Sequence, residues 1–146
     1  GKNYFKGELR NVAVYKDAVT EALDSIEEVK RAIENQGKLT EELCAAIDEA
    51  CKNLGGWRLW KCDLYVTLEP CPMCAGAIIN SRIRRVIYGA SDPKAGSCKS
   101  LTNLFEIPYN HKPEVVPGVL EKECSEILSE FFTKLRAKRK KENLPE

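Results

Sequence analysis

Apolar positions are sparse and irregular at the start of the chain, and only Asn11-Val12-Ala13-Val14-Tyr15-Lys16 has the β-branched and aromatic character of a short strand. From Asp17 to Asn35 the spacing turns helical. Val19, Leu23, Ile26 and Ile33 follow one stripe that Lys30 interrupts, and Gln36-Gly37 ends it. Thr40 then offers an N-cap for a second helix, whose first turn carries Glu41 and Glu42 at its positive end. Leu43, Ala46, Ile47, Ala50, Cys51 and Leu54 mark the buried face of that helix, and Gly55-Gly56 stops it.

Beyond the glycines, strand and helix patterns alternate. Leu64-Tyr65-Val66-Thr67-Leu68 predicts a strand, Cys71 to Asn80 a compact helix behind Pro70, and Arg85 to Gly89 a second strand. A polar loop from Ala90 to Ser100 leads to a short helix at Leu101–Phe105. Glu114-Val115-Val116 opens a third strand, and Leu120 to Lys141 a long helix. This alternation predicts an α/β fold with helices on both faces of a sheet, in a single domain over 1–146. Pro117 cannot donate to a ladder, which places the third strand at an edge.

Composition narrows the function classes. The 146 residues are 43% hydrophobic and 31% charged with a formal net charge of +1, so no overall field argues for nucleic acid. The charge is uneven, however. Lys134, Arg136, Lys138, Arg139, Lys140 and Lys141 crowd one end, while the front half is acidic. No run of apolar residues is long enough for a membrane span and no signal peptide is apparent, so no membrane partner is expected. The seven cysteines are odd in number and irregularly spaced, which suggests reduced thiols in a cytoplasmic protein, some of them metal-bound.

Pro70-Cys71-Pro72-Met73-Cys74 is the sharpest chemical signal. Two thiols three residues apart in the first turn of a helix point the same way and can share a tetrahedral zinc, and a helix N-terminus favours their thiolates. A redox pair, or two small core residues, would give the same spacing.

The flanking residues carry a resemblance. Leu64 to Ala77 reads LYVTLEPCPMCAGA, and this segment resembles the bacterial tRNA-specific adenosine deaminase family. Ile79 to Ile83, Val86 to Gly96, Tyr109-Asn110-His111, Glu114 to Leu120 and Leu128 to Arg136 are similar to successive segments of it, as is Ala46 to Leu54 upstream. The likeness thus covers residues 46–141, and residues 1–45 diverge. It implies a cytidine-deaminase-like three-layer sandwich with a mixed sheet, a homodimer, bound zinc, and conversion of the tRNA wobble adenosine to inosine. In that chemistry zinc activates a water that attacks C6 of a flipped adenine, and a glutamate that is not a ligand moves the protons.

The N-terminal part departs from this pattern. Where the family has a β-hairpin, this sequence has the helical pattern of Asp17–Asn35 in its place. Where the family has His-Ala-Glu at the start of the second helix, this chain has Glu41, Glu42 and Leu43. Glu41 is therefore the doubtful third zinc ligand beside Cys71 and Cys74, with plain helix-terminal charge as the alternative, and Leu43 stands where the catalytic glutamate should be. Cys44 is a further thiol nearby. The one histidine, His111, lies with Asn110 in a loop that resembles an RNA-contacting element. Phe131, Phe132, Lys134 and Arg136 offer stacking and charge to tRNA, or simply form a solvated helix end. Asp92 and Lys94 sit in a loop that borders the family's substrate cavity. The sequence expectation is a deaminase scaffold, silent on its own. The alternatives are a non-catalytic homologue that binds RNA or a partner subunit, and a designed, rearranged or fragmentary module.

Overall fold

The computed structural model describes residues 4–5, 12–16 and 39–142, with side chains from 43 to 141. Five strands form one sheet in sequence order: β1 (Tyr4–Phe5), β2 (Val12–Lys16), β3 (Cys62–Leu68), β4 (Arg85–Ala90) and β5 (Glu114–Val116). The β1–β2 and β2–β3 pairs are antiparallel, whereas β3–β4 and β4–β5 are parallel. The sheet is therefore mixed, and β5 lies at its edge with Pro117 just beyond, as the missing N–H demands.

Among the described residues three helices cover it: α1 (Leu39–Leu54), α2 (Pro72–Asn80) and α3 (Glu121–Glu142). Leu43, Ala46 and Ala50 of α1 pack with Ala75 and Ile78 of α2 onto Leu64, Val86 and Tyr88 in one buried cluster. The opposite face of β4 takes α3. A Cβ on Gly89 would come within 2.7 Å of the Cys124 Cβ, so this close approach requires glycine. The result is the α/β sandwich that the alternating pattern implied.

Several boundaries differ from the sequence expectation. Helix α1 begins at Leu39, so Thr40 lies inside it and is not its N-cap. Leu54 is 36% exposed, because it sits in the last turn where the helix leaves the sheet. The stop itself is as expected. Gly55 adopts φ +69°, its N–H donates to Lys52 O, and that of Gly56 donates to Cys51 O, which closes the helix in a Schellman arrangement. The expected helix at Leu101–Phe105 is a single 3₁₀ turn, Leu104–Glu106, because Asn103 caps it by accepting from the Phe105 N–H.

At the N-terminal edge, Tyr4 pairs with Tyr15 and Phe5 with Val14. The sequence reading, with helix in place of a hairpin, left β2 without this partner; backbone pairing with β2 supplies it. The helical pattern Asp17–Asn35 lies outside the described residues. Ile78, Ile79 and Ile83 are buried within the monomer, packed with Leu64 of β3 and with Val86 and Tyr88 of β4. Among the described residues no helix is long and apolar enough to cross a membrane.

Candidate active site

The site gathers where β3 and β4 end. Leu68 closes β3, Glu69 and Pro70 turn the chain, and α2 starts with Cys71 as N-cap and Pro72 at its first turn. Proline costs nothing there, because its missing N–H would have no helical partner. The Cys71 carbonyl accepts the first helical bond from Ala75 N–H at 2.8 Å.

Cys71 is half-buried, Cys74 is buried, and their thiols hydrogen-bond to each other. Burial raises the Cys74 pKa, and the neighbouring Cys71 and Cys44 thiols push it the same way. At Cys74 this desolvation outweighs the lowering effect of a backbone hydrogen bond. Cys44 is exposed on α1 yet close enough to act on Cys74, so the start of α1 faces the start of α2. Leu43, only 2% exposed, belongs to the same buried cluster as Cys74.

A catalytic zinc takes three protein ligands and a water. Among the described residues no three His, Cys, Asp or Glu side chains converge closely enough to hold a metal ion. The described donors, two thiols, do not by themselves fit a catalytic zinc. The side chain of Glu41, the expected third ligand, lies outside the described residues.

Glu69, absent from the candidate residues read from the sequence, is central to the site. It is 2% exposed, and its two carboxylate oxygens organise the loop that follows β4. Oε1 accepts the N–H groups of Cys98, Lys99 and Ser100 at 3.1, 2.8 and 2.9 Å. Oε2 accepts Asp92 N–H at 3.0 Å and the Ser100 hydroxyl. Burial alone would raise the Glu69 pKa, but the Ser100 hydroxyl and these backbone donors outweigh it and hold it below the usual carboxylate value. A Cβ on Gly96 would collide with this carboxylate and with Asp92 O. The available clue was an acid that ends an apolar strand, followed downstream by a glycine-containing polar loop.

Other expected residues are placed as follows. Asp92 accepts from Lys94 N–H and Ala95 N–H at 2.9 and 3.2 Å, an Asx turn that fixes the loop, and the Lys94 side chain is exposed. Asn110 is exposed. His111 donates through Nε2–H to Ile83 O at 2.6 Å, which ties its loop to the far end of α2, away from the thiols. Phe131 and Phe132 meet edge to face at 5.3 Å on α3, with Phe132 exposed. Lys134 pairs with Glu130 at 2.6 Å, and Arg136 is exposed. The structure therefore joins Cys71, Cys74, Leu43 and the Glu69-held loop, and leaves the α3 residues on a separate surface.

Residues 9–136 match the family model of MafB19-like deaminases. The chain is 58% identical over 103 residues to the tRNA-specific adenosine deaminase of Bacillus subtilis, covering 68% of this chain and 64% of that protein. It is 50% identical to the Haemophilus influenzae protein of the same name, over 65% of this chain and 56% of that one. The chain thus spans less than two thirds of these two relatives. The Agrobacterium fabrum tRNA-specific adenosine deaminase is 47% identical, over 73% of this chain and 76% of that one. A solved structure from a study of tRNA:A34 deaminases and A-to-I editing at the wobble position is 47% identical, with a TM-score of 0.58, over 64% of this chain and 70% of that chain. A guanine deaminase from Nitrosomonas europaea, 23% identical with a TM-score of 0.52, shares the fold. By both its family match and its relatives, the chain belongs to the MafB19-like deaminases, alongside the bacterial tRNA-specific adenosine deaminases.

Proposed function

We propose that this chain is a tRNA-binding member of the adenosine deaminases that does not deaminate unaided. The observation that carries the reading is Leu43, buried in one cluster with Cys74. Deamination of adenine needs a group that delivers a proton to the purine ring and then to the departing ammonia. An alkyl side chain cannot move protons, and general acid–base catalysis is typically worth about 10²–10⁴ in rate. Glu69, the nearest buried carboxylate in sequence, is committed to five donors and held ionised by them.

The relatives' names point to tRNA as the ligand, with the wobble adenosine as the position addressed. Asp92, Lys94, Asn110 and His111, together with Phe131, Phe132, Lys134 and Arg136, are the residues proposed to meet it. Zinc at Cys71 and Cys74, with Glu41 as a weak third donor, would be labile. Cysteines that form no disulfide suit a reducing cytoplasm. A homodimer, if formed, must use residues other than the buried Ile78, Ile79 and Ile83.

Incubation with an anticodon stem-loop carrying the wobble adenosine, in the presence of zinc, tests the reading. No inosine is expected, although the stem-loop binds. Robust inosine formation would overturn the inactivity, and failure to bind would overturn the assignment of tRNA.

A further inference from the structure

The end of α2 opposite the thiols carries a surface that the deaminase site does not use. The chain has two tryptophans, and both lie here, Trp57 at 53% and Trp60 at 58% exposed. Between them in sequence Leu59 is fully buried, and its N–H donates to Ser81 O at 2.7 Å, which pins the segment to the end of α2. The Cys62 N–H then closes a turn onto Leu59 O at 2.9 Å. The two indoles are thus held outward by an anchored backbone. The Arg58 guanidinium lies 4.5 Å from the Trp57 ring centroid and 5.4 Å from that of Trp60. Arg82 adds a second guanidinium 5.8 Å from Trp57, itself fixed by donation to Ile79 O at 2.9 Å.

Exposed indoles are costly unless something covers them, and each guanidinium adds a positive charge beside a π face. Lys61 is exposed next to Trp60. Asp63, a nearby acid, is fully buried and bound by Arg84 and Arg85, so it does not neutralise this surface. Flat aromatic faces interleaved with cations match unpaired bases on a phosphate backbone. An isologous contact between two copies would set Arg58 and Arg82 against their own kind, a like-charge arrangement that opposes association.

We propose that Trp57, Arg58, Trp60 and Arg82 form a stacking platform for unpaired bases of single-stranded RNA. It lies by the end of α2, whereas the thiol pair lies at its start. The inference rests on the reading of the chain as an RNA-binding protein and adds a surface that reading does not require.

Because both tryptophans are in the platform, intrinsic fluorescence of the full chain reports on it directly. Titration with oligouridylate, which has no internal pairing, should quench the emission, with a midpoint that weakens as salt rises. Trp60→Ala should weaken binding about 5- to 150-fold, the span for loss of one stacked base, while Trp60→Phe keeps most of the affinity. Circular dichroism should be unchanged in both variants. Anisotropy of labelled oligouridylate, measured in parallel, separates the two ideas. If it shows binding without tryptophan quenching, or with full affinity in Trp60→Ala, the platform is overturned and RNA binding by other residues stands. If it shows no binding at all, both fail. Quenching or a blue shift with protein concentration alone would make a second copy the occupant and also overturn the proposal.

Discussion

Replacing Glu69 with glutamine changes one atom and removes one charge, in a place where five donors converge on the carboxylate. If the amide keeps its oxygen toward Cys98, Lys99 and Ser100, its NH₂ faces the Asp92 N–H. The Ser100 hydroxyl can rotate to accept, but a backbone N–H cannot. One orphaned buried donor costs about 1–3 kcal/mol, and the three remaining bonds each lose roughly 1 kcal/mol on passing from a charged to a neutral acceptor. These terms are not independent, so Glu69→Gln should destabilise the protein by about 2–5 kcal/mol, a large part of the roughly 5–15 kcal/mol that holds a domain folded. Urea unfolding of both proteins near neutral pH measures it. The pH dependence follows from the sign of the shift. The folded Glu69 pKa is depressed, so its contribution is fully present above the unfolded glutamate value of about 4.3 and is lost as the pH falls through the lower folded value. The gap between wild type and variant should therefore narrow in acid. A difference under about 1 kcal/mol at neutral pH, or one that does not change on acidification, would show that Glu69 is not the loop's anchor.

Protein purified without chelator should contain less than one zinc per chain and lose it readily to a chelator, because two thiols fall short of the usual ligand set; full, resistant occupancy by elemental analysis would reveal a strong third ligand. Neutralising Lys134, Arg136, Lys138 and Arg139 should lower the log–log salt slope of single-stranded RNA binding by at most roughly 3, at about 0.7 per phosphate contact. The Lys134–Glu130 pair makes the shortfall largest at that position, and an unchanged slope would leave α3 as solvated charge. Gly89→Ala should cost about 1–3 kcal/mol or more by overpacking against Cys124, read as a lower midpoint in thermal unfolding. Adding Cys124→Ala should recover only part, since the Cys124 Cβ remains; an unperturbed single variant would mean that α3 moves freely off β4.

Local rules determined much of this protein from the sequence alone. Short runs rich in β-branched and aromatic residues marked β3 and β4, Gly55-Gly56 fixed the end of α1, and Pro117 marked β5 as an edge, because each acts through backbone geometry within a few residues. The Cys71–Cys74 pair and the segments around it were equally legible, since two donors one helical turn apart need no distant partner. Contacts between residues far apart in sequence were left to the tertiary structure. Glu69, just after β3, reaches residues 92–100 in the loop beyond β4, and no period in the sequence encodes that carboxylate's donors. The sheet buries Ile78, Ile79 and Ile83, and Leu59 takes the buried position between two exposed indoles, Trp57 and Trp60. Hydrophobicity dictates that some residues of a stretch are buried, but which ones, and against what, is decided only when the sheet and helices close.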